Sequence, residues 1–188
     1  MGNSHRRVLD KNNLIFVLIF PLIIGSLISP TFGEEDKKVT YGLGILGGFR
    51  TASPRLSHYA ILPRMDIFLH RNWDLEFEGN FSRYNIREEK DLVVLGTNVN
   101  ILFKPLQGGW GALFILGGAG LGYDNSGGKV REIGDSHLGG VLQTGVGICI
   151  ALGKGWLLRG EYRFHHVSEP FKRDTGLNMH DFILGISY

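Results

Sequence analysis

The chain has one cysteine, Cys149, so no internal disulfide can staple it. That thiol lies in an apolar run, where a lone cysteine packs as a small hydrophobe. An excess of charge is also missing. The 188 residues carry 20 Lys+Arg against 18 Asp+Glu, and removing residues 1–33 leaves 17 of each. Nucleic-acid binding needs a basic surplus, so that class of partner is excluded. Beyond residue 33 no stretch reads as an amphipathic helix. A chain with neither disulfides nor helices must draw its stability from a closed sheet or from a membrane.

What is present begins with Arg6, Arg7 and Lys11, then an apolar run from Leu14 to Ile28, then the small residues Thr31 and Gly33 before Glu34. This order is that of a secretory signal peptide over residues 1–33, cleaved near Gly33. A membrane-spanning helix needs about 20 apolar residues, and this run is shorter and interrupted by Pro21 and Gly25. Met1-Gly2 is not a myristoylation start, because Arg6 stands where that motif requires Ser or Thr. One domain is expected to follow, over 34–188.

That domain divides into alternating runs separated by Gly, Pro and polar clusters, and the period of 2 predicts eight strands. Their expected spans are 39–49, 58–70, 73–84, 91–104, 110–123, 136–152, 156–168 and 177–188. The third is clearest: Trp73, Leu75, Phe77 and Phe81 alternate with Asp74, Glu76, Glu78, Asn80 and Ser82. The fifth is poorly periodic, and the 28 glycines suit tight curvature in a small closed sheet. Links at 71–72, 105–109 and 153–155 are brief, whereas 50–57, 85–90, 124–135 and 169–176 are longer and polar. Short turns alternating with long loops, and an even strand number starting at eight, define an all-β, antiparallel transmembrane β-barrel of the bacterial outer membrane.

Sidedness follows from charge. Asp74, Glu76 and Glu78 share one face of the third strand, and Arg159, Glu161 and Arg163 share one face of the seventh. These faces belong inside, where an eight-stranded barrel has room only for side chains, so acids and guanidiniums must pair there. Arg64, Asp66, Asn98, Asn100, Gln143 and Asp181 have the parity to join them. A lumen filled in this way argues against an ion path. Gly42-Leu43-Gly44-Ile45-Leu46-Gly47 satisfies a dinucleotide-binding pattern, but no helix follows it, so it is read as strand glycine. His165 and His166 point to opposite faces and cannot jointly hold a metal. His58, His70 and His137 are read as luminal or loop-end residues, and no cofactor or structural metal is expected.

The terminal hairpin, 156–188, is where strand pattern and covalent chemistry coincide. Trp156, Leu158, Tyr162 and Phe164 carry the outward face of the seventh strand, and the same parity places His166 and Ser168 there, about 7 Å apart along the strand. Asn178, His180, Phe182, Leu184, Ile186 and Tyr188 are expected to face outward on the eighth strand. A serine hydroxyl becomes a nucleophile when a neighbouring base takes its proton, and His166 can serve as that base for Ser168.

Over residues 161–188, with His166-Val167-Ser168 preceded by Glu161-Tyr162-Arg163-Phe164-His165 and followed by Gly176-Leu177-Asn178, the chain resembles the outer-membrane lipid A 3-O-deacylases, grouped with acyloxyacyl-hydrolase-like proteins. The resemblance implies an eight-stranded barrel whose H-x-S motif supplies a serine nucleophile, Ser168, and a histidine base, His166. It also implies a carboxylic ester hydrolase that removes the ester-linked 3-position acyl chain of lipid A, or of a related acylated lipid, without a cofactor. The family carries a glutamate where this chain has Asn178, leaving Asn178, Glu169, Asp174 and His180 as candidates to orient the histidine. Where the family reads Asn-Ala-Gly, thought to form the oxyanion hole, this chain reads Glu169-Pro170-Phe171, and Pro170 has no N–H to offer.

Two other readings compete. A non-catalytic outer-membrane barrel with a structural or surface-interaction role would use its loops, notably Asp124 to Asp135. A soluble lipocalin-like binder would need an apolar interior and a polar exterior, the reverse of the parity found here. Nothing in the pattern specifies an oligomer.

Overall fold

The computed structural model describes residues 39–50, 56–86, 91–124, 138–168 and 176–188. The expected signal peptide, His137, the 125–135 segment, Glu169-Pro170-Phe171 and Asp174 lie outside the described residues. Eight antiparallel strands close into a barrel: β1 (Val39–Arg50), β2 (Leu56–His70), β3 (Trp73–Ile86), β4 (Leu92–Gly108), β5 (Gly111–Asp124), β6 (Leu138–Gly153), β7 (Trp156–Ser168) and β8 (Leu177–Ser187). Each strand pairs with its sequence neighbours, and β8 returns to β1, so no edge is left open.

The C-terminal end of β4 departs from expectation for a physical reason. β4 runs to Gly108 instead of stopping at 104, because the ladder to β5 shifts between Phe103 and Leu106 and resumes with Leu106 opposite Leu113. Pro105, which has no N–H to give, falls in that irregularity, where a strand tolerates it. β2 and β3 extend as a ribbon, pairing Ser57 with Asn85. The β6–β7 turn has positive φ at both Lys154 (53°) and Gly155 (82°), which matches the twist of a two-residue hairpin.

The outer wall is apolar. Leu43, Ile45, Ile61, Ile101, Ile115, Leu121, Leu142, Val146, Leu184 and Ile186 are exposed, flanked by aromatics such as Trp73, Trp110, Trp156 and Tyr188 at the short-turn end and Tyr59 and Tyr123 at the other. Such a surface is stable only against lipid. The lumen is layered. At the long-loop end Leu56, Tyr84, Leu92, Val167, Leu177 and Met179 form an apolar plug. Toward the short-turn end Leu102, Phe114 and Leu116 form another cluster, with the Arg159 guanidinium 4.5 Å from the Phe114 ring centre. A cavity of about 530 Å³ opens beyond it, bordered by Asp66, Asp74, Lys104 and Cys149.

Between these layers lies the ionic core. Arg163 reaches Glu78 at 2.9 Å, Glu161 at 2.7 Å and Glu76 at 3.4 Å. Arg64 contacts Glu161 at 2.6 Å and Glu78 at 3.0 Å, and Arg159 contacts Glu76 at 2.6 Å and Glu161 at 2.7 Å. Asn100 and Asn98 donate to Glu76 (2.7 Å) and Glu78 (2.9 Å). The fifth strand's weak alternation now has a cause: Ala112, Phe114 and Leu116 face an apolar part of the lumen, so both faces of β5 are apolar there. Its glycines make space. A Cβ at Gly118 would lie 1.9 Å from the Asn100 amide oxygen, and one at Gly120 would lie 2.0 Å from that of Asn98.

Arg163→Met is expected to destabilise the barrel by about 3–5 kcal/mol, because it strands buried carboxylates without their shared cation. Denaturant unfolding in detergent measures this, and adding Glu78→Gln to the same chain should recover part of the loss.

Candidate active site

β7 and β8 pair so that His166 stands directly opposite Asn178 and Phe164 opposite His180. All four side chains lie on the outer wall, because the alternation that buries Arg163, His165, Met179 and Asp181 sends them the other way. His166 Nδ1 lies 2.7 Å from Asn178 Oδ1. An amide oxygen can only accept, so with the amide in this orientation the contact takes Nδ1 as donor, and a neutral ring would then keep its lone pair at Nε2. Ser168 follows two residues along the same face, half-buried, opposite Gly140 of β6. Among the described residues no hydrogen bond joins Ser168 to His166; the two are aligned on one face of the strand end.

The other candidates for orienting His166 separate here. His180 is engaged elsewhere, with its Nδ1 2.7 Å from the Tyr162 hydroxyl and its ring 5.6 Å from that of Phe164. Glu169 and Asp174 lie outside the described residues.

Gly176 entered the sequence reading only as part of the Gly176-Leu177-Asn178 run, with no role of its own, yet it backs the imidazole. A Cβ there would come within 2.4 Å of His166 Cε1 and 2.8 Å of Nε2. Its signal was its place at the foot of the strand carrying Asn178. The site lies on the outer wall, and two luminal cavities bordered by described residues are lined by His165 and by Arg159, on the opposite face of β7. The lumen also collects residues that single-strand reading left apart. His58, His165, Asp181 and Ser82 meet beneath the apolar plug, all buried.

A closed eight-stranded barrel with an apolar exterior, a charged lumen and alternating short and long connections is an integral membrane barrel of the outer-membrane class. The chain belongs to the outer membrane protein beta-barrel domain family, whose model matches residues 24–188. Its fold is similar to the solved structure of the outer membrane enzyme PagL, at 14% identity over 79% of this chain and 97% of that one, with a TM-score of 0.56. It is similar as well to Neisserial surface protein A (NspA), at 12% identity over 82% and 98%, TM-score 0.55. Ail, the attachment invasion locus protein of Yersinia pestis, follows at 13% over 81% and 99%, TM-score 0.50. At these identities the likeness is one of fold. No curated protein matches the chain.

Gly176→Ala is expected to leave the barrel folded, since only the end of a side chain has to move, while breaking the His166–Asn178 hydrogen bond. Nitrogen-15 imidazole spectra should report this as loss of the single Nδ1–H tautomer of His166.

Proposed function

We propose that the protein is a serine esterase of the outer-membrane wall, exported through a cleaved signal peptide, that removes the ester-linked 3-position acyl chain from lipid A or a related acylated lipid. The observation that carries this reading is the His166 Nδ1–Asn178 Oδ1 hydrogen bond, made on the lipid-facing wall two residues from Ser168. Ser168 Oγ attacks the ester carbonyl carbon, and its proton passes to His166 Nε2. The bond from the carbonyl carbon to the sugar oxygen then breaks, and His166 returns that proton to the leaving hydroxyl. Water, deprotonated by His166, attacks the acyl-serine and releases the fatty acid and free Ser168.

Asn178 holds the imidazole in the tautomer this sequence of steps needs, but it offers no negative charge to the imidazolium. In a serine protease, replacing the orienting acid by its amide cost about 10⁴ in kcat because it imposed the wrong tautomer. Here the amide presents oxygen to Nδ1, so that cause does not operate, and a smaller penalty follows. Below the pair, Tyr162, Phe164, His180 and Phe182 make a continuous aromatic surface on the outer wall, against which an acyl chain can lie. The likeness to an outer membrane enzyme agrees with this reading.

The second reading is a non-catalytic barrel with a structural or surface-interaction role. It is favoured by the lack, among the described residues, of a Ser168–His166 hydrogen bond, and by the equal likeness of fold to a surface protein and an attachment protein.

Membranes containing the protein, incubated with lipid A and followed by mass spectrometry, should show loss of the 3-position hydroxyacyl chain. Ser168→Ala should abolish that loss together with labelling by a serine-directed phosphonate. Asn178→Leu is expected to lower the rate by about 10² or more, while Asn178→Glu should keep or raise it. Full deacylation by Ser168→Ala would return the chain to the non-catalytic class.

A further inference from the structure

Asp181 is set apart from the carboxylates of the ionic core by its described partners. The three glutamates of the ionic core are matched by Arg64, Arg159 and Arg163, Asp66 lies against Arg159, and Asp74 is paired with Lys104. Asp181 is 1% exposed, and among the described residues its ion-pair partners are two imidazoles alone: His58, with Nδ1 3.3 Å from Oδ1, and His165, with Nδ1 against Oδ2. A buried carboxylate is stable only when it is paired or bound to a metal. Here the pairing comes from imidazole N–H groups, from an imidazole that carries an extra proton, or from a cation shared among the three groups.

We propose that His58, His165 and Asp181 form a binding site for a divalent transition metal of the zinc type, held inside the barrel beneath the apolar plug. Three strands, β2, β7 and β8, each contribute one ligand, and one donor atom from each lies within 4.8 Å of the others. Zinc bonds to imidazole nitrogen and carboxylate oxygen are about 2.0–2.2 Å, so neighbouring ligand atoms in a tetrahedral site are about 3.4 Å apart. The His58–Asp181 separation, 3.3 Å, already has that value, and His165 Nδ1 lies against the second oxygen of the same carboxylate. Two imidazoles and one carboxylate suit zinc or cobalt, whereas calcium and magnesium prefer all-oxygen sets.

The surroundings fit the same reading. A ligating histidine normally passes its second ring nitrogen to a hydrogen-bond partner, and His58 Nε2 lies 3.1 Å from Ser82 Oγ. Stacking on Tyr84, with ring centres 4.2 Å apart, fixes the imidazole plane. A cavity of about 30 Å³ borders His165 and Asp181, with room for a water as fourth ligand. Bound metal would tie β2 to the hairpin of β7 and β8 across the lumen. This site is independent of the esterase reading, because it uses the opposite face of β7.

The test uses the full barrel purified from membranes in detergent without a histidine tag, stripped with a chelator and titrated with Zn²⁺ and Co²⁺ by calorimetry. One ion per chain is expected, with a rise in the thermal unfolding midpoint and a tetrahedral cobalt absorption band. Asp181→Asn, His58→Gln and His165→Gln should each weaken binding by roughly 100-fold or more, whereas His166→Ala should retain it. Folding of every variant is followed by heat-modifiable gel migration. Zinc-edge X-ray absorption of the loaded wild type, which depends on no variant, should report two imidazole nitrogens. A folded, stripped wild type that takes up neither ion would overturn the proposal, leaving a proton-bridged His–Asp–His network. So would binding that survives Asp181→Asn or is lost in His166→Ala.

Discussion

Arg163 is the side chain on which the lumen is built. Its guanidinium is shared by carboxylates of two strands, Glu76 and Glu78 on β3 and Glu161 on its own β7, and it also meets Gln143 of β6 at 3.3 Å. An eight-stranded barrel encloses a space only wide enough for side chains. Charges as deeply buried as Arg163, Glu76, Glu78 and Glu161 must therefore satisfy one another. The asparagines, the glutamine and the facing glycines follow from that one requirement. Amides complete the hydrogen bonding of the glutamates, and glycines on β5 leave room for the amides.

With the lumen packed, the esterase proposed above would meet its lipid on the outer wall, at a strand end where polar side chains can reach the interface between hydrocarbon and headgroups. His166, Ser168 and Asn178 lie there. On the other side of the same strand His165 joins His58 and Asp181 in a wholly different environment, buried and charged. One peptide unit separates the two histidines, and the alternation of the strand assigns one to lipid and the other to the lumen.

The alternation of Trp73 to Ser82, the charges at Arg159, Glu161 and Arg163, and the rhythm of short and long connections were sufficient to define eight strands, their faces and the closure of the sheet. Pattern failed where it was diluted. β5 is apolar on both faces because it borders an apolar part of the lumen, and the C-terminal end of β4 moved because a proline could be absorbed in a register shift. For the wall site, parity alone put His166, Ser168 and Asn178 on one face. It left four candidates for the orienting group, and it said nothing of Gly176.

Side-chain direction is a local property with period 2, so a single chain determined by itself which residues face lipid and which face the lumen. Which residues meet across strands is not local. Register depends on turn geometry and on the stagger with which the sheet closes on itself, and neither is written in any one strand. Only the tertiary structure decided that Asn178 stands opposite His166, that His180 goes to Tyr162 instead, and that His58 reaches His165 and Asp181 from strands distant in sequence.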